Sequence, residues 1–506
     1  MNSIEVVLVI DVGTSGLRAG LVDAAGVLVD FEYVASPPTT PSPGLVEFDA
    51  TKMYDAAVVA ATRVVSRNPS NTVVALGITN QRASVVAWDA RTGLPLGPGI
   101  GWQDLRTVME CIAAKSEHDL AIAPNQTATK AAWLRTNVAT GIPETALRFG
   151  TIDSWLTWKL SSGEAFITDH TNAAVTGLVD VATVDWDPAV CAIFDIPLGC
   201  LPRVTTSRGV VGTVNKHGVL DGIPLAARIG DQQASLVGQG CINPGRTKIT
   251  FGTGGMLNAY TGLVGPTEAR RTPHGTFPIV AFSLDDSSPA VHWGLEAIML
   301  SAGTNVEWLR DDMALIESAA DSEAIAASVT TTDGVAYIPA LLGLGTPDWD
   351  YGARGTLLGL TRGTTRAHVV RAVLDGIAHR GADLHDAASA DAASRGVQLV
   401  DSIRIDGGMS RNAMFVRLLA DATGKNVEVS PLAEATTLGA AYLAGAVPDA
   451  SIALWPSLGA AVDTWRAATV VTPGTSPAER ATARQSWASA VDAARAWIPD
   501  LSALDF

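Results

Sequence analysis

Arg228 to Leu257 read R-I-G-D-Q-Q-A-S-L-V-G-Q-G-C-I-N-P-G-R-T-K-I-T-F-G-T-G-G-M-L. A lone acid, Asp231, stands in the small-residue turn Gly230-Asp231-Gln232-Gln233. An apolar segment then leads to a glycine turn, Phe251-Gly252-Thr253-Gly254-Gly255. A carboxylate in the first turn can take a proton from a hydroxyl, and the bare amides and hydroxyl of the second can hold phosphate oxygens. The pair reads as two parts acting on one transferring phosphoryl group.

The second turn has a counterpart near the start of the chain. Ile10-Asp11-Val12-Gly13-Thr14-Ser15-Gly16 aligns with Ile249-Thr250-Phe251-Gly252-Thr253-Gly254-Gly255, with four of seven positions the same. A hairpin that occurs twice points to two domains of like topology facing a shared cleft. Around the first copy, the β-branched run Ile4 to Ile10 reads as a buried strand, and Leu17 to Val22 and Val27 to Val34 as two more. Thr72 to Thr79 predicts a strand leading through Asn80-Gln81-Arg82 into another, Ser84 to Trp88. Thr151 to Leu160 predicts a helix. In the second half the spacing predicts a helix over Ala367 to Ala387 and a strand over Asp401 to Ile405. A further helix is predicted over Asn412 to Ala422, with Ser410 as its N-cap and Gly424 as its stop. The alternation is α/β, with a boundary near Gly240 that divides the chain into residues 1–240 and 241–506.

Composition narrows the partners. A chain of 506 residues is too long for one ordinary core, and 47% hydrophobic with 17% charged residues is a globular balance. The net charge of −16 argues against nucleic acid or an anionic membrane as partner, though not against ATP, whose phosphates backbone amides and Mg²⁺ can meet. Cys111, Cys191, Cys200 and Cys241 have no C-x-x-C spacing and read as reduced thiols. No basic segment precedes the first apolar run, which is too short to span a bilayer, so a soluble, cytoplasmic protein is expected. The eight histidines form no ligand pattern.

Each motif has a plain reading beside the chemical one. No Walker A loop is present, since Gly424-Lys425 is followed by Asn426. Either Gly-Thr turn alone is ordinary hairpin chemistry; both together, with Asp406-Gly407-Gly408-Met409, favour phosphate binding. Asp11 can hold Mg²⁺ through water or cap its turn. Asp231 can be a solvated turn residue or a base. Arg82 and Trp102-Gln103-Asp104 can line a site for a neutral polyhydroxylated ligand, or be a surface Arg and a core Trp.

These motifs resemble those of the FGGY carbohydrate kinases, and within them the glycerol kinases. The likeness runs from Asp11 to about Trp497. It is carried by I-D-V-G-T-S-G-L-R from Ile10, G-I-T-N-Q-R from Gly77, W-Q-D-L-R-T from Trp102 and G-T-I-D-S-W-L-T-W-K-L from Gly150. G-D-Q-Q-A-S-L-V-G-Q-G from Gly230, G-L-G-T-P-D-W-D from Gly343, A-R-G-T-L-L-G-L-T-R-G from Ala353 and T-L-G-A-A-Y-L-A-G from Thr437 complete it. The resemblance implies two ribonuclease-H-like domains of the actin and hexokinase type around a central cleft, binding ATP and Mg²⁺. It implies Asp231 as the base. Thr14, Ser15, Gly16 and Arg18 would meet the phosphates from one side and Thr253 from the other. Gly303, Gly408 and Asn412 would border the nucleotide, with Glu307 in place of a Gln common near the adenosine. Asp11, through water, and Asp231 would attend the metal.

Arg82, Trp102, Gln232 and Asp231 would line the acceptor site, where three positions depart from the glycerol pattern. Ala83 stands where a Glu would grip a hydroxyl, Asn125 where a Tyr is usual, and Met256 where an aromatic is usual. Loss of that carboxylate should weaken glycerol selectivity, and the freed space suits a four- or five-carbon polyol or a ketopentose. Val214 to Pro224 lacks the basic, glycine-rich loop through which some bacterial glycerol kinases bind a sugar bisphosphate, so that inhibition is not expected. Kinases of this kind often pair as homodimers, but no interface is legible. A true glycerol kinase, an actin-like ATPase and a non-catalytic sugar sensor are the rival readings.

Overall fold

The apolar run that opens the chain is a strand buried on both faces. In β1 (Glu5–Val12), Val6, Leu8 and Ile10 enter one core with Ala57, Ala61 and Val64 of α1 (Ala50–Arg67), while Val7 and Val9 enter another on the opposite face. A strand without alternation is what a sheet covered on both sides requires. The structure is a computed structural model and describes residues 4–285, 290–432 and 435–503.

β1 pairs antiparallel with β2 (Gly16–Asp23), and β2 with β3 (Leu28–Ala35). On its other side β1 runs parallel to β4 (Thr72–Asn80), and β4 to β5 (Leu225–Gly230), giving the order β5-β4-β1-β2-β3. The three parallel strands end level: Gly230 lies opposite Asn80, and Asn80 opposite Val12. Asp231, Gln81 and Gly13 therefore leave the sheet side by side, at the carboxyl edge where open α/β sheets take ligands.

A second sheet repeats the scheme in part. β6 (Thr247–Phe251) and β7 (Gly255–Gly262) form the antiparallel hairpin; β10 (Ser402–Asp406) and β11 (Asn426–Val429) form the parallel side. Beyond β7 the topology differs. β7 pairs with β9 (Val291–Met299), which leaves β8 (Phe277–Ser283) outermost, and β12 (Thr469–Val471) closes the other edge.

One core joins the two sheets through a pair of helices, α2 (Asp231–Gly238) and α6 (Ala435–Gly445). They cross at glycines. A Cβ on Gly439 would lie 1.8 Å from the Ala234 carbonyl oxygen, and one on Gly238 would lie 2.0 Å from that of Ala435. Any side chain there would force the helices apart. A smaller five-stranded sheet, with Val85–Asp89 at its centre and Leu147–Thr151 beside it, stands next to the first and carries the loops around Arg82 and Trp102.

Two helix boundaries differ from those expected. The helix predicted to end at Ala387 runs as α4 (Arg366–Ser394), because its alanine-rich tail keeps favouring helix. Ser410 is not an N-cap. Gly408–Arg411 form a 3₁₀ turn, and Asn412, in extended backbone, caps α5 (Ala413–Thr423) by accepting the Phe415 N–H at 2.9 Å. Gly424 ends that helix in the left-handed conformation, as its sequence position predicts. All four cysteines are free and buried, and among the described residues no helix is long and apolar enough to cross a membrane.

Candidate active site

Asp231 is the first residue of α2, one step past the end of β5. Gly230 leaves room for Arg82 to lie across it, since a Cβ there would fall 2.7 Å from Arg82 Cγ. Arg82 Nε sits 3.5 Å from Asp231 Oδ1, and Arg82 Nη2 donates to Glu296 at 2.9 and 3.3 Å. Asp231 Oδ1 also accepts the Gln232 N–H at 2.7 Å. Burial pushes the Asp231 carboxyl above its ordinary range, against the pull of Arg82, the Gln232 N–H and Lys248 in the other direction. A carboxylate so placed holds a proton more readily than a solvated one, which is the property a general base needs. Burial works against the charge on Arg82, yet Glu296 and Asp231 hold its pKa above the ordinary value.

The first hairpin turn closes on itself, with Gly13 N donating to Gly16 O at 2.9 Å. Thr14 Oγ1 accepts from Trp102 Nε1 at 3.1 Å, so the proposed phosphate turn and acceptor wall share a hydrogen bond. Trp102 is held from behind by Lys130, whose Nζ donates to the Gly101 and Trp102 carbonyls, each at 3.0 Å. Lys130 is wholly buried, and burial pulls its pKa down to about 7. Ser15 is exposed, whereas Gly16 lies under the Tyr33 ring. Arg18 faces Asp11 in register, with Nη1 3.9 Å from Oδ2. Asp11 accepts from Thr436 Oγ1 at 2.6 Å, which ties it to the start of α6.

Ala83 is buried with φ +62°, a conformation that costs a non-glycine residue about 1–2 kcal/mol. Its carbonyl accepts from Thr127 Oγ1 at 3.0 Å, which brings the turn containing Asn125 alongside; Asn125 itself is exposed.

The second hairpin turn has Gly252 N donating to Gly254 O at 3.0 Å and an exposed Thr253 at its tip. It docks on the start of α3 (Gly303–Asp311): Gly303 N donates to Gly252 O, and Ala302 N to Thr253 O, each at 2.8 Å. Glu307 is exposed one turn further along α3. Beside this hairpin lies a cavity of about 220 Å³, lined by Gln232, Ser235, Thr250, Asp406, Gly408 and Thr436. At ~30 Å³ per water it has room for several waters or for phosphate groups. Met256 lies between Thr250 and Ile298 in register, half-buried. Asn412 stands apart from that cavity's lining. Its Oδ1 caps α5 and its Nδ2 donates to Ser322 at 3.0 Å.

Lys248, Glu296 and Lys130 were not singled out from sequence. Lys248 is buried, and its Nζ donates to Gln232 Oε1 and Thr250 Oγ1, both at 2.8 Å. Burial pulls its pKa down to about 8, against Asp406, Glu296 and Asp231. The available signal was a lysine inside the β-branched run of a strand paired on both sides; Glu296 carried a weaker one of the same kind.

The model for the N-terminal domain of the FGGY family of carbohydrate kinases matches residues 6–238, and that for its C-terminal domain residues 247–447. The chain is similar to the glycerol kinase of Gloeobacter violaceus, 39% identical over 448 residues and 87% of each chain. It is also similar to that of Burkholderia pseudomallei, 37% identical over 98% of this chain and 99% of the relative. Among solved structures, Plasmodium falciparum glycerol kinase with ADP superposes with a TM-score of 0.89 at 29% identity, covering 98% of this chain and 99% of that one. A xylulose kinase from Lactobacillus acidophilus, with a TM-score of 0.83 at 21% identity over 97% of this chain and 98% of its own, shares the fold.

Proposed function

The chain belongs to the FGGY family of carbohydrate kinases and is an ATP-dependent kinase of glycerol-kinase-like type; we propose that its acceptor is a polyol or ketose of four or five carbons. In this reading residues 1–240 bind the acceptor and part of the phosphates, and residues 241–506 bind the nucleotide, in the cytoplasm. The observation that carries it is the level ending of β5, β4 and β1, from which Asp231, Arg82 and Thr14 emerge together.

Asp231 takes the proton of the attacking hydroxyl as the new bond forms, and Arg82 keeps the carboxylate ionised until then. Thr14, Ser15, Gly16 and Arg18 receive the phosphates from one sheet and Thr253 from the other. Gly303, Glu307, Gly408 and Asn412 border the nucleotide. Phosphoryl transfer asks the protein chiefly for positioning and charge compensation, and closure of the cleft keeps water from competing with the acceptor. Among the described residues no three His, Cys, Asp or Glu side chains cluster into a metal cage. Mg²⁺ bound mostly by water and phosphate needs only one or two carboxylates, and Asp11 and Asp231 fit that donor set. Bound there, the ion would neutralise charge on the transferring phosphate.

Ala83, Asn125, Trp102, Gln232 and Met256 shape the acceptor site, and the missing carboxylate at Ala83 supports an acceptor other than glycerol. A coupled ADP-release screen over glycerol, tetritols, pentitols and ketopentoses tests this; the highest kcat/KM on glycerol would overturn it. Glycerol as the true acceptor is the second reading, favoured by relatives named glycerol kinase at 37–39% identity. Under either acceptor, Asp231→Asn should cost on the order of 10²–10⁴ in kcat. Wild-type turnover in that variant would remove Asp231 as the base.

A further inference from the structure

Lys248, Asn258 and Glu296 lie opposite one another on β6, β7 and β9, forming a polar row across the second sheet. The row reaches the proposed acceptor site through Arg82. Its Nη2 and Asn258 Nδ2 both donate to Glu296 Oε2, at 2.9 and 3.0 Å. That bond fixes the amide orientation of Asn258, because a carboxylate only accepts. Two buried polar atoms are then left without a protein partner, Arg82 Nη1 and Asn258 Oδ1, and Asn258 is 0% exposed. One is a donor and the other an acceptor, each sharing a carbon with the nitrogen that meets Glu296 Oε2. Such atoms are costly to bury unpaired. An alcohol both accepts and donates, so a substrate hydroxyl has the chemistry to pair with either or both.

We propose that Asn258, with Arg82 and Glu296, forms the recognition end of the acceptor pocket and takes a hydroxyl remote from the one that is phosphorylated. The proposal rests on the kinase reading above and deepens it. Arg82 spans from Asp231 on one side to Glu296 on the other, so an acceptor reacting at Asp231 must extend past the guanidinium to reach Asn258. The fitting class is a neutral polyol or ketose longer than three carbons. Asn258 supplies from the second sheet a polar grip that Ala83 does not supply from the first. Met256, two residues earlier on the same face of β7, borders the space without competing for the hydroxyl.

The test uses the whole enzyme in the ADP-release assay with glycerol, a pentitol and that pentitol's monodeoxy isomers. In the wild type, one isomer besides the one lacking the reacting hydroxyl should lose on the order of 10²-fold in kcat/KM, because its absence leaves the two buried atoms unpaired. In Asn258→Leu the pentitol-to-glycerol ratio of kcat/KM should fall about tenfold or more, and the penalty for that isomer should shrink. Asn258→Thr serves if the leucine variant does not fold. Equal losses on glycerol and pentitol, or an undiminished deoxy penalty, would make Asn258 a structural residue and overturn the proposal. Use of glycerol alone would overturn it and leave the kinase reading standing; no ADP release with any polyol or ketose would remove the kinase reading itself.

Discussion

The two hairpin turns, residues 12–16 and 251–255, have similar sequences, but the second closes one residue sooner, through Gly252 N to Gly254 O where the first closes through Gly13 N to Gly16 O, and different charges stand behind them. Behind the first is Asp11, a carboxylate facing Arg18 and bonded to Thr436. At the aligned position of the second is Thr250, whose hydroxyl accepts from the buried Lys248. The first turn is also braced by Trp102, and the second by the start of α3. Similar sequences are thus backed by different charges, and under the proposed function the first turn would take the hydrated cation while Lys248 behind the second would offset anionic phosphate.

The largest effect expected from this asymmetry is on metal dependence. Asp11→Asn should weaken Mg²⁺ activation by about 10–100-fold, the range for groups that hold a metal through its water. Thr250→Val should leave the Mg²⁺ titration midpoint within about threefold, because outer-sphere partners matter only where they meet the ion's own ligands, and Thr250 is bonded to an ammonium instead. Equal shifts in both variants would mean that the two hairpins do not divide the work by charge.

A smaller effect concerns pH. Below about pH 8 the Lys248 ammonium is charged and pulls the Asp231 pKa down. Removing it in Lys248→Met lets burial raise that pKa further, so the acid limb of the kcat/KM profile should move to higher pH. A limb that stays in place would show that Lys248 only holds Gln232 and Thr250.

The smallest concerns strain. After β10 the chain turns at Gly407 with φ +87°, whereas after β4 it turns through Ala83 at φ +62°. Glycine tolerates such angles and alanine does not. Ala83→Gly should therefore raise the melting midpoint by the equivalent of about 1 kcal/mol or less. A lower midpoint would mean that the methyl group's burial outweighs its strain.

Much of this was legible in the residues. The apolar run of β1, the doubled hairpin and the Gly-Asp turn before an apolar segment are local patterns, and local patterns report periodicity and turn chemistry directly. The cap of the helix after β10 falls on Asn412 and not on Ser410 because Ser and Asn are both good caps, and only the 3₁₀ turn before Asn412 decides between them. Lys248 and Glu296 escaped for a different reason. Each looks like an isolated charge in a strand, and its meaning depends on which residues lie across the sheet and across the cleft.

The chain's own order of residues determined that there would be two related α/β sheets, a carboxylate at the end of one strand and glycine turns suited to phosphate, because each feature is written within a dozen contiguous residues. Only the tertiary structure decided that Arg82 meets Glu296 some two hundred residues away, that Asn258 shares the same oxygen, and that Trp102 reaches Thr14. Those contacts depend on strand register and on the approach of two sheets through helices crossing at Gly238 and Gly439. Register and approach are properties of the packed whole, set where many weak preferences agree, and no short stretch of sequence contains them.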